Sequence, residues 1–196
     1  MKKTSMHAAF AVLAAGSLLP VSVLAHPGVG ATSGFAAGFG HPLSGIDHLL
    51  AMVAVGLWAA QLGGRALWAV PATFVTLMLA GAGLGMYGVP VPFVEAGILF
   101  SVLVLGVLVA GAYRLPVVAG AMLVGAFALF HGHAHGSEMP LSVAGVAYCT
   151  GFAVATAMLH ATGMAAGLAV RRLDLPKLAR LAGGAIAVSG LSLAVA

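Results

Sequence analysis

"LPVVAGAMLVGAFALFHGHAHGSE", residues 115–138, carries no ionisable side chain until His131 and then ends in three histidines and a glutamate. The stretch as a whole is long enough to cross a hydrocarbon core, which takes about 20 residues of helix. The polar part is costly there, roughly 2.5–3.5 kcal/mol for a charged group at a helix centre and less near the interface. A group held at such a cost faces a partner or a cavity.

The rest of the chain repeats the apolar part of this pattern. Of 196 residues, 62% are hydrophobic and 6% charged, and the mean hydropathy is +1.13. The natural solvent of such a chain is lipid. Its start, "MKK", then an apolar run from Ala8 to Leu19 and "PVSVLA", reads as a signal peptide over residues 1–25, cleaved before His26. Residues 26–196 then form one membrane domain. Pro, Gly and charge clusters cut it into six apolar segments, roughly 35–62, 66–87, 92–112, 115–136, 141–168 and 177–196. The predicted fold is all-α, a polytopic bundle of six transmembrane helices. Short linkers predict that consecutive helices lie antiparallel as neighbours.

The basic residues set the orientation. Beyond the signal they are Arg65, Arg114, Arg171, Arg172, Lys177 and Arg180. With the mature N-terminus in the periplasm, all fall in the cytoplasmic loops, the positive-inside arrangement of an inner-membrane protein. A pI near 9.7 therefore reflects loop placement and does not indicate nucleic-acid binding. The single Cys149 excludes an intrachain disulfide and a Cys-based zinc or iron–sulfur site. The glycines, 28 in all, include small-xxx-small spacings at Gly34/Gly38, Gly132/Gly136 and Gly163/Gly167, which predict close helix contacts.

In this orientation the polar residues converge on the outer level. His41 lies at the start of helix 1, with Asp47 and His48 about 10 Å deeper. His131, His135 and Glu138 end helix 4, and Glu95 begins helix 3. Residues seven apart on a helix differ by about 20° and residues four apart by about 40°. His41 and His48 are thus predicted to share one face, and so are His131, His135 and, with helix continued past Gly136, Glu138. His133 points away and reads as hydrogen-bonded or exposed. Asp47 is either a ligand or the acceptor that orients an imidazole. Pro42 and Gly45 loosen the start of helix 1. Glu95 is as well explained by the helix dipole as by metal. His160 is either structural or lines an exit path, and His26 is either a chelating mature terminus or a frayed end. Imidazoles with carboxylates and no thiolate suit Ni²⁺, Co²⁺, Zn²⁺ or Fe²⁺. Nine methionines keep copper open as well.

Two motifs carry a resemblance. "HPLSGIDH" (41–48) and "FHGHAHGSE" (130–138) resemble the H-P-x-x-G-x-D-H and F-H-G-x-A-H-G-x-E patterns of the HupE/UreJ family of nickel and cobalt permeases. The resemblance covers essentially the whole mature chain. It implies metal handling by His41, Asp47, His48, His131, His135 and Glu138, with Glu95 a weaker carry-over. It also implies uptake of Ni²⁺ or Co²⁺ as transported substrate, with no prosthetic group, in support of hydrogenase or urease maturation. The expected partners are the ion, the bilayer and, indirectly, those maturation proteins; a homo-oligomer is compatible with this. No Walker A motif is present, so no ATPase is evident. Two other readings remain at this stage. One is an intramembrane metalloenzyme using the same His/Asp/Glu cluster, against which stands the lack of H-E-x-x-H. The other is a passive sensor, against which stand the short cytoplasmic loops.

Overall fold

The computed structural model describes residues 31–139 and 144–195. The proposed signal peptide and His26 lie outside the described residues. Seven helices follow one another: α1 (Ala31–Ser44), α2 (Ile46–Leu62), α3 (Ala66–Met86), α4 (Val94–Gly111), α5 (Val117–Ser137), α6 (Gly145–Arg172) and α7 (Pro176–Ala194). Five of them, α3 to α7, are long and apolar enough to cross a membrane, and α1 with α2 makes a sixth span if the bent pair counts as one. There is no strand among the described residues. The outer surface of the bundle is itself apolar, with Trp68, Phe100, Val118, Met122, Leu181 and Val188 exposed. In water such a surface would be a severe liability; in a bilayer it is the solvent-facing side.

The segment expected as one continuous first helix is two. α1 and α2 meet at 83°. Pro42 lies within the last turn of α1, where its ring and missing N–H work against further helix. Gly45 follows in an extended conformation and caps α2. A Cβ on Gly45 would lie 2.8 Å from Asp47 Oδ1 and 3.2 Å from His48 Nδ1, so the break also leaves room for the polar pair behind it. The expectation that His41 and His48 share one helical face is therefore wrong. They come from two helices running in different directions.

α2 is the central element, and nine of its residues between Ala51 and Ala60 are buried. Short linkers do alternate the helix directions, but they do not choose the neighbours. The most extensive packing joins α3 to α5, α4 to α7, α2 to α6 and α1 to α6. Reciprocal glycines explain these choices. A Cβ at Gly132 would strike the Met78 carbonyl and one at Gly136 the Ala82 carbonyl, while Gly81 and Gly85 on α3 meet the carbonyls of Leu129 and His133. Gly56 with Gly163, Gly38 with Gly151 and Gly106 with Gly183 bring the other pairs equally close. In lipid, where no hydrophobic force pulls helices together, this close backbone approach is what holds them.

At one end of the bundle lie the α1–α2 break, the end of α5 and the start of α6. The basic residues lie at the other. There Arg114, Arg171 and Arg180, with Gln61 and Asp174, border a cavity of about 250 Å³. Arg171 Nη1 donates to the Ala60 carbonyl at 2.7 Å and Arg180 Nε to that of Ala110 at 2.8 Å, closing the ends of α2 and α4.

Candidate functional site

Four imidazoles from three elements form one cluster. His48, in the first turn of α2, has its ring centroid 4.7 Å from His131 and 4.6 Å from His135, both on α5. His135 is in turn 4.8 Å from His41 at the end of α1. The 83° break thus folds the α1 terminus back over the cluster. His131 and His135 are one turn apart on α5 and buried to 0% and 1% exposure.

Two hydrogen bonds fix where protons sit. His48 Nδ1 lies 3.0 Å from Asp47 Oδ1, which also accepts from the His48 backbone N–H at 2.8 Å. An ionised carboxylate only accepts, so Nδ1 carries the proton and Nε2 presents a lone pair. Ser101 on α4 does the same for His131. Its hydroxyl donates to the Ile98 carbonyl at 2.6 Å, so its oxygen accepts from His131 Nε2 at 2.9 Å. That leaves His131 Nδ1 as the free lone pair. At the rim, His41 Nε2 donates to Glu138 Oε2 at 2.9 Å, and this pair is part-exposed. Glu138 caps α5, so the helix does persist far enough to bring it to His41.

His48 Nε2, His131 Nδ1 and both nitrogens of His135 are buried with no hydrogen-bond partner. Leaving one such group unsatisfied costs about 1–3 kcal/mol, and here they are neighbours. Aromatic walls surround them: Phe152 packs 5.1 Å from His135, Tyr148 lies 5.9 Å from His41 and Phe74 lies 5.7 Å from His131. Among the described residues, no three His, Cys, Asp or Glu side chains already stand in a metal-binding arrangement. The rings lie edge to face or tilted, so an ion entering among them would have to turn them toward it. The donor set itself, imidazole lone pairs with carboxylates behind them, is that of a borderline transition-metal ion.

Of the residues singled out from the sequence, the structure brings together His41, Asp47, His48, His131, His135 and Glu138. It does not bring in Glu95, which is exposed in the first turn of α4. His133 turns away, its Nε2 donating to the Val89 carbonyl at 2.8 Å. Ser101, Phe74, Tyr148 and Phe152 escaped sequence reasoning. Only Ser101 left a trace there, as a lone hydroxyl in the apolar run "LFSVLVL".

An all-α polytopic membrane bundle with a buried cluster of histidines at one end is the class that fold and site define. The chain belongs to the HupE / UreJ protein family, whose model matches residues 13–193. It is 45% identical over 197 residues to "Protein HupE" of Rhizobium leguminosarum bv. viciae, with 100% of both chains covered. No solved structure matches it.

Proposed function

We propose that this chain is an inner-membrane permease that admits Ni²⁺, or Co²⁺, from the periplasm and is not an enzyme. The cluster of His41, His48, His131 and His135, with Asp47 and Glu138 behind the outer members, replaces the ion's water. The observation that carries this reading is the set of adjacent, buried imidazole nitrogens without partners. Membership of the HupE / UreJ family supports a link to hydrogenase or urease metal supply. Nickel and cobalt are equally accommodated, because affinity order and donor type do not separate them.

The test is uptake of radioactive nickel by cells expressing the chain, compared with His48→Ala. The variant should lose most of the uptake, and undiminished uptake would overturn the reading. Acidity should act in the same direction. A ligating imidazole must be neutral, so protons compete with the metal ion for it. Uptake should therefore fall as pH drops from about 7 to about 5. A flat profile in metal-loaded vesicles would contradict ligation by histidine.

A further inference from the structure

The buried rings do not stop at the cluster. Phe74 on α3 touches His131 at 5.7 Å and, on its other side, His160 on α6 at 5.0 Å. The rings of His41, His135, His48, His131, Phe74 and His160 therefore form one continuous file into the bundle, and only Phe74 lacks a donor atom. His160 is 1% exposed, and neither of its ring nitrogens has a partner. One turn away on the same helix, the Thr156 hydroxyl lies 3.3 Å from Met52 Sδ and 3.6 Å from Met78 Sδ. Thr156 and His160 thus stand opposite Met78 and Phe74, which are also one turn apart, with Met52 closing the group from α2. All of these are buried.

We propose that His160, with the thioethers of Met52 and Met78 and the Thr156 hydroxyl, is a second, inner binding site for the transported ion. It is separated from the outer cluster by the Phe74 ring. The inference rests on the transport role proposed above. An imidazole with two thioethers is a softer donor set than the outer one, so the site takes borderline and soft transition cations and rejects Mg²⁺ and Ca²⁺, which require oxygen. Its place in the file gives it a purpose. One tight site holds an ion but releases it slowly, whereas two sites in series let an arriving ion displace the one ahead. The cost of an imidazole buried without a partner is then met only while an ion passes.

The test uses the full chain in lipid nanodiscs titrated with NiCl₂, and uptake measured in parallel. Wild type should bind about two ions per chain. His160→Phe and the volume-conserving pair Met52→Leu/Met78→Leu should each bind one fewer. His160→Phe should also lower uptake by at least the roughly tenfold that loss of a ligand-supporting group costs. In His48→Ala/His135→Ala protein, the remaining Ni²⁺ should show sulfur neighbours in X-ray absorption, and adding the Met→Leu pair should remove them. Wild-type stoichiometry and uptake in both His160→Phe and the Met→Leu pair would overturn the inner site while leaving the outer one standing. A wild-type chain that binds no Ni²⁺ would overturn both.

Discussion

Ser101 shows how much of the cluster's arrangement depends on a residue outside the two histidine motifs. Its hydroxyl proton is committed to the Ile98 carbonyl, so it can only accept from His131. The tautomer of His131 follows, and with it the side on which the lone pair lies. Asp47 does the same for His48. Replacing such orienting partners typically costs 10–100-fold in metal affinity. Ser101→Ala should weaken Ni²⁺ binding by about that factor, and Ser101→Thr, which keeps the hydroxyl, should restore most of it. Calorimetric titration of the two variants checks this, with thermal unfolding alongside. Equal affinity in both would remove Ser101 from the site. At this scale the motif histidines and Asp47 were legible in the sequence, because an ionisable group in an apolar run stands out. A serine that bonds back to its own helix does not stand out, and its second bond, to a residue 30 positions away, exists only in three dimensions.

At the scale of the element, segment limits were legible to within a few residues, since Pro, Gly and charge mark them. Partners were not. Buried helices are apolar all round, so periodicity names no interface, and consecutive order misled. Glycine made the choice, and it was visible only as small-xxx-small spacing without a partner. The bend between α1 and α2 was half legible: Pro42 and Gly45 marked weakness there but gave no angle. Gly132 and Gly83 separate packing from propensity. Gly132→Ala would place its Cβ against the Met78 carbonyl, whereas Gly83→Ala meets nothing within 4 Å. The first should destabilise by about 1–3 kcal/mol, as overpacking does, and should disturb His131 and His135 on the same helix. The second should be neutral or gain up to about 1 kcal/mol from helix propensity. Thermal unfolding in detergent, with nickel uptake as a second readout, distinguishes the two; equal stability would mean that α3 and α5 do not approach as closely as described.

The whole molecule is polarised. The clustered histidines His41, His48, His131 and His135, with Asp47 and Glu138, gather at one end, and Arg65, Arg114, Arg171, Arg172, Lys177 and Arg180 belong to the linkers and helix ends at the other. Sequence reasoning reached this division because both the positive-inside rule and the depth of the histidines depend only on counting residues from helix ends. On the transport role proposed above, a cation would enter at the histidine end, and the arginine-bordered end would face the cytoplasm. Two exposed positions report the orientation. Tyr87, at the end of α3, is 89% exposed and lies at the histidine end; Leu173, at the end of α6, is 68% exposed and lies at the arginine end. In a Cys149→Ser background, a membrane-impermeant maleimide applied to spheroplasts should label Tyr87→Cys and leave Leu173→Cys unlabelled until the membrane is opened. The reverse pattern would place the histidine cluster in the cytoplasm. The same donors would then collect ions from inside, and the protein would have to be read as an exporter.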